Sequence, residues 1–255
     1  MAMNVGLSVF ALLFLAVGHS VLGEQSVLRP LFASEGWGLP DAPRWAAERL
    51  LRFAWHLTSV AWVVLAAIML GAPAEIAVGG GCLVSAAFVF FGLRGHLAWP
   101  IFLLGGIAAI NAGGALPGWA RAGLVGMAVL VAGAAAGLHV YWAMGGRRWL
   151  DRVLPQKPDG QPIFRPGAWA CLAVTACLLG YAGLVVYTSR GAPFWAWAAT
   201  AVAFLVLTAR AVGDGRQVGF TKTDRSTAFA QSDDAVFTPL VVVLALGAAV
   251  ALLPA

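Results

Sequence analysis

Gly137-Leu-His-Val-Tyr-Trp-Ala-Met-Gly-Gly-Arg-Arg-Trp-Leu-Asp-Arg-Val-Leu-Pro155 closes one long apolar run and opens the longest polar connection in the second half of the chain. The paired glycines at 145 and 146 stop a helix, and Arg147, Arg148 and Arg152 then hold the connection in water. His139 lies inside the apolar part, where an ionisable side chain is costly and marks a candidate site. Working outward, the same order of apolar run, break and basic loop recurs in both directions. It is the order of a polytopic membrane protein.

Composition agrees. Of 255 residues, 61% are hydrophobic and only 11% charged, with a mean hydropathy of +0.85. So few charges cannot cover a water-soluble domain, and lipid must solvate most of the chain. Backbone groups in lipid have to be satisfied within their own segment, and the runs lack strict two-residue alternation, which predicts helices rather than a barrel. The net charge of +5 and pI near 9.6 would suit nucleic acid. The basic residues instead flank apolar runs without an aromatic-interleaved patch, so no nucleic-acid partner is expected. Cys82, Cys171 and Cys177 all sit in apolar runs and form no C-x-x-C pattern, which predicts small buried hydrophobes. The N-terminus has no Lys or Arg before the first run and no small-x-small site after it, so that run is expected to remain as a helix.

The predicted fold is all-α, with eight transmembrane helices of about 17–25 residues in two four-helix halves, 1–116 and 117–255. The spans run from Asn4 to Leu22, Ala47 to Leu70, Ala74 to Leu93, Ala98 to Gly114, Trp119 to Met144, Gly167 to Thr188, Pro193 to Val212 and Val236 to Leu253. Fourteen of the 16 Lys and Arg residues fall in or beside the odd-to-even connections, including Arg52, Arg94, Arg147, Arg148, Arg152 and Arg210. Only Arg121 and Arg190 fall on the other side. This bias places the long loops in the cytoplasm of a bacterial inner membrane, with both termini outside. Each half then has an outside start, a histidine near the cytoplasmic end of its first helix, a long loop and three more helices. That plan suggests a parallel duplication.

From Leu138 onward the chain resembles an uncharacterised family of small bacterial four-helix membrane proteins. The resemblance rests on His139-Val-Tyr-Trp-Ala-Met-Gly-Gly146 with Leu154-Pro155, then on Arg210-Ala-Val-Gly-Asp214, Val218-Gly-Phe220, Thr227-Ala-Phe229, Asp234 and Thr238-Pro239-Leu240. The first half, through Gly18-His-Ser-Val-Leu-Gly-Glu24 and Arg52-Phe-Ala-Trp-His56, is similar to another group of hypothetical small membrane proteins. Neither resemblance implies an activity.

Candidate chemistry gathers towards one leaflet. His19 lies about 4.5 Å, His56 about 6 Å and His139 about 9 Å from the cytoplasmic ends of their helices at the helical rise, and His96 lies in a short turn. With Glu24, the histidines His19, His56 and His139 could line a pocket, and Arg210 and Asp214 could stand at its mouth. Three imidazoles could bind a metal, or two could hold haem. Against that, His19 and Glu24 lie about 140° apart on an unbroken helix, and no Glu-x-x-His or His-x-x-x-His pair occurs. Hydrogen bonds to neighbouring helices account for the same histidines. Glu24 could pair with Arg29 if the chain turns at Gly23, or accept from His19 or His56 as an acid–base pair. Arg210 and Asp214 have the i,i+4 spacing of a helix-surface ion pair. The glycine run 213–219 lacks a strand-to-helix context and is predicted to be a loop.

Three functions fit. The first is binding or transport of a small lipophilic ligand or metal. The second is an enzyme acting on a lipid or quinone. The third is a structural subunit with a membrane-protein partner or a second copy of the chain.

Overall fold

The computed structural model describes residues 2–38, 43–93, 98–157 and 161–254. Arg94 and His96 lie outside the described residues. Among the described residues the architecture is helical throughout, with no strand, and seven helices are long and apolar enough to cross a membrane. The protein is therefore a polytopic membrane protein. The fourth predicted span, Ala98 to Gly114, is a shorter helix, α5 (Ala98–Ala112, 15 residues). At the helical rise it extends about 22 Å, against a hydrocarbon core of about 30 Å.

The chain divides into two compact units, Met1–Leu116 and Pro117–Ala255. In the first, α1 (Ala2–Gly23) runs through one π-helical turn, Glu24–Leu28, into α2 (Arg29–Ala33). It packs on α3 (Arg44–Met69), and α3 packs on α4 (Ala74–Gly92). Helix α5 lies against α4, with Gly79 and Gly106 letting the two backbones approach closely. The second unit contains α6 (Gly118–Ala143), the single turn α7 (Leu150–Val153), α8 (Ala168–Thr188), α9 (Phe194–Val212) and α10 (Ala228–Ser232). A second π-helical turn, Asp233–Phe237, joins α10 to α11 (Thr238–Leu252). Helix α11 packs on both α6 and α9 and carries eight buried residues, more than any other helix.

Both π turns have the same local cause. Pro30 and Pro239 lack an N–H and would clash with the carbonyl four residues back in a regular α-helix. The helix widens by one residue instead, so Arg29 N–H donates to Glu24 O and Thr238 N–H donates to Asp233 O. The two segments read alike, Glu24-Gln-Ser-Val-Leu-Arg-Pro-Leu31 and Asp233-Asp-Ala-Val-Phe-Thr-Pro-Leu240. Each begins on an acid that the wide turn places over the residue five positions on. The repeat does not follow the parallel duplication, because it ends the first long helix of one unit and starts the last helix of the other.

The helix ends on the opposite side of the second unit are also tied. Arg121, one of two basic residues on that side, donates to the carbonyls of Leu253 and Pro254. A cation there satisfies carbonyls that a helix C-terminus leaves without partners. Cys171 is buried, Cys82 half-buried and Cys177 exposed, and all three are free thiols.

Packing of α11 on α6 depends on Gly247, where an added Cβ would lie 2.2 Å from the Ala128 methyl. Gly247→Ala should destabilise the protein by about 1–3 kcal/mol, read as a lower Tm in neutral detergent. Gly126 on α6 has open space around it. Gly126→Ala should leave the Tm unchanged or slightly raised.

Candidate ligand site

In the second unit the ends of α6 and α9 meet the starts of α8 and α10, and the helices leave a cavity of about 1100 Å³ between them. Its deeper wall is apolar, from Val131, Ala135 and Leu138 on α6, Val174 on α8 and Leu240 on α11. Tyr141, Trp142, Trp149, Phe164, Phe229 and Phe237 add aromatic surface. Only a few polar groups enter, chiefly His139, Arg152, Arg210 and Ser232.

The stretch 137–155 builds one side of this cavity. Helix α6 ends at Ala143, and Gly145 continues at φ 91°. Trp142 Nε1 then donates to Arg148 O at 3.0 Å, pinning the connection against the helix end. Trp149 has φ 67° and is the one non-glycine residue with positive φ among the described residues. That conformation is unfavourable for a residue with a Cβ, and it delivers the indole to the cavity wall. His139 Nδ1 lies 2.8 Å from Ala135 O. A carbonyl can only accept, so Nδ1 carries a proton, and in the neutral ring Nε2 is the acceptor.

Arg210 and Asp214 do not form the i,i+4 pair that their spacing suggests. Helix α9 stops at Val212, and Gly213 turns at φ 102°. There an added Cβ would meet Val218 O at 1.9 Å. The chain folds back, Phe220 N–H donating to Ala211 O and Thr221 N–H to Val212 O. The glycine run 213–219 is a loop, as predicted. Asp214 faces it, accepting from the N–H groups of Arg216, Gln217 and Val218 at 2.7–3.0 Å. Partial burial pushes its carboxyl up, but these backbone donors outweigh burial and hold it below the usual carboxylate range. Its contribution to the loop is therefore complete above the ordinary aspartate range and fades as pH falls through the lower folded value. Asp214 shapes the loop and does not line the cavity.

Arg210 turns to Asp233, at 2.6 Å. Asp233 is fully buried and also accepts from Lys222 Nζ, Gly219 N–H and Thr238 Oγ1, each at 2.9 Å. Lys222 is buried too and bonds Asp234 at 2.6 Å, and Arg225 covers Asp234 at 2.8 Å. The last span, expected to begin at Val236, leaves Asp233 and Asp234 in the connection before it, and that expectation is corrected. They lie inside a continuous helix, where the π turn aims Asp233 at α9 and the loop.

The first unit holds the other predicted residues. Glu24 receives Arg52 at 3.0 Å and Arg29 at 3.5 Å, with His56 Nε2 at 3.9 Å. The chain does not turn at Gly23 to make the Arg29 pair, because the π turn does so. His56 Nδ1 lies 2.9 Å from Ser20 Oγ, which donates to Ser59. His19 does not reach Glu24. Its ring stacks on Trp55 at 4.6 Å and meets the edge of Trp62 at 5.0 Å. Trp55 in turn donates to His19 O, in space that a side chain at Gly23 would fill. His56 and Arg52 border a smaller pocket of about 270 Å³ with Phe53, Phe88 and Phe91. Two guanidinium groups on Glu24 make it a poor general base. Among the described residues no group of three or more His, Cys, Asp or Glu side chains is arranged to hold a metal ion.

Sequence reasoning missed Arg52 as the partner of Glu24, and Lys222 and Asp233 as a buried pair. A signal for the first was present: Arg52, Trp55, His56, Ser59 and Trp62 recur at helical spacing and form one face of α3. For the second, Pro239 six residues after Asp233, repeating Pro30 after Glu24, was the available sign.

Two substitutions test this geometry. Trp149→Gly should be more stable than Trp149→Ala by about 1 kcal/mol, since both remove the indole and only alanine keeps the strain. Asp233→Asn leaves Lys222 and Arg210 without their carboxylate and should cost about 3–5 kcal/mol, read as loss of the monodisperse detergent-solubilised protein. Residues 132–248, which include nearly all of the cavity lining, both partners of the Arg210–Asp233 pair and the second π turn, match the model of a family described as a protein of unknown function (DUF3995). No curated protein and no solved structure matches the chain.

Proposed function

We propose that this is a bacterial inner-membrane protein that binds or moves a small lipophilic ligand in the second-unit cavity, entered from the cytoplasmic leaflet. The cavity carries the reading. Ligand sites are concave, largely apolar and about 300–1,000 Å³, with a few placed polar groups that orient the ligand. This one, at about 1100 Å³, is slightly larger than that range. His139 Nε2 offers an acceptor and Arg210 and Arg152 offer donors at the helix ends, with aliphatic and aromatic wall beyond them.

His19, Glu24 and His56 belong to a separate first-unit cluster in this reading, and Asp214 shapes the loop beside Arg210. A metal or haem has less support, since two guanidinium groups hold Glu24 and, among the described residues, no group of three or more His, Cys, Asp or Glu side chains is arranged around an ion. The units 1–116 and 117–255 act as two membrane halves, with α5 as the fourth of eight crossings. An even number of crossings keeps the basic loops around Arg147 and Arg216 on the same side as Arg52, as the distribution of positive charge requires. A seven-crossing chain would place them outside.

Two measurements test the proposal. Gentle purification followed by solvent extraction and mass spectrometry should find a lipophilic molecule near one per chain, lost or depleted in a Leu138→Trp variant that fills the cavity. An equally empty extract from both proteins would count against binding. Reporter fusions at the two termini should both report the outside of the cell, and opposite sides would remove α5 as a crossing.

A further inference from the structure

We infer that the ligand of the second-unit cavity is an anionic amphiphile: a carboxylate or phosphate on an apolar chain, its acid group received by Arg210 and Arg152. This rests on the cavity reading above and names the ligand class.

Arg210, Lys222 and Arg225 face two carboxylates, Asp233 and Asp234, so the cluster retains one positive charge. The carboxylate of Asp233 is saturated by four donors. Lys222 directs its ammonium at Gly219 O, Asp233 and Asp234, so its hydrogens are spent. Arg225 is engaged by Asp234 and Phe220 O. Arg225 is half-exposed and meets solvent, whereas Arg210 is the cation of the cluster that lines the cavity. That guanidinium bonds Asp233 through Nη2, while Nη1 is buried without a hydrogen-bond partner. A buried charged donor left unpaired is costly; Nη1 has no accessible surface of its own, but the Arg210 side chain that carries it is partly exposed and lines the cavity. Arg152 lines the same cavity and has no acidic partner among the described residues.

Two under-compensated guanidinium groups repel a cation and gain nothing from an ester or hydrocarbon. An oxygen acid satisfies both, because planar N–H forks match carboxylate and phosphate geometry. His139 Nε2, an acceptor, complements the remaining O–H of a singly ionised phosphate. A small aqueous anion would leave the aliphatic and aromatic wall without a partner. An acyl or prenyl chain covers that wall. Fatty acid and lipid phosphate share this chemistry.

Trp142 and Trp149 line the cavity, so a brominated chain bound there quenches their fluorescence. The full chain, delipidated in a neutral detergent, would be titrated with dibromostearic acid, its methyl ester, and brominated phosphatidic acid and phosphatidylcholine. Saturable quenching is expected with one or both acids, at least about tenfold tighter than with the ester or the choline lipid. Whichever acid binds tighter identifies the source. The saturable part should vanish in a Trp142→Phe/Trp149→Phe variant. Arg152→Gln, whose side chain is exposed and carries no structural bond, should weaken acid binding about tenfold and leave the ester unchanged, whereas Arg210→Gln can fail to fold. Equal affinity for acid and ester overturns the anionic assignment and leaves the cavity reading standing. No saturable quenching by any of the four overturns the cavity reading itself. Displacement of dibromostearic acid by millimolar inorganic phosphate alone, matching unbrominated stearate, would overturn the amphiphile.

Discussion

Asp233 has no exposure to solvent, and its carboxylate is where the second unit is tied together. Arg210 reaches it from the end of α9, Lys222 and Gly219 from the returning loop, and Thr238 from the first turn of α11. A charge that far from water persists only when its lone pairs are occupied and opposite charge is adjacent. The loop therefore folds back against the helix ends, and the glycines at 213 and 219 are the residues that permit it. The cavity follows, because Arg210 is drawn to the junction of α9 and α11 and lies along one wall.

The π turn explains why Asp233 can serve this role. In a regular helix Asp233 and Thr238 would point to different sides. The wider turn imposed by Pro239 stacks them and aims the acid at the neighbouring helix. Glu24 and Arg29 stand in the same relation above Pro30, with Arg52 as the neighbour's cation. Each unit thus uses one device: a proline sets the register, an acid begins the wide turn, and an arginine on the packed helix meets it. Low dielectric makes such a pair worth keeping, and the sparse charge of the chain leaves few others.

Much of the architecture was legible in the order of residues. The apolar runs at Ala47, Ala74, Trp119, Gly167 and Pro193 are helices near the expected bounds, whereas the run from Asn4, expected to end at Leu22, continues as helix to Ala33. The last run begins eight residues earlier than expected, at Ala228, because Asp233 and Asp234 look like a polar connection when read along the chain. Among the candidate residues, His139 and Arg210 do line one cavity. Asp214 was paired with Arg210 by helical spacing, and that rule failed because the helix ends between them.

The sequence alone determined that lipid is the solvent, that the chain is helical and where most helices lie. These follow from hydropathy and from the requirement that backbone groups in lipid bond within their own segment, both properties of local sequence. The tertiary structure decided which charges meet. Arg210 chose Asp233 over Asp214, Glu24 chose Arg52 over histidine, and His19 settled between two tryptophans. Partner choice in a low-dielectric interior depends on distances between helices, and those distances are fixed only when the helices pack.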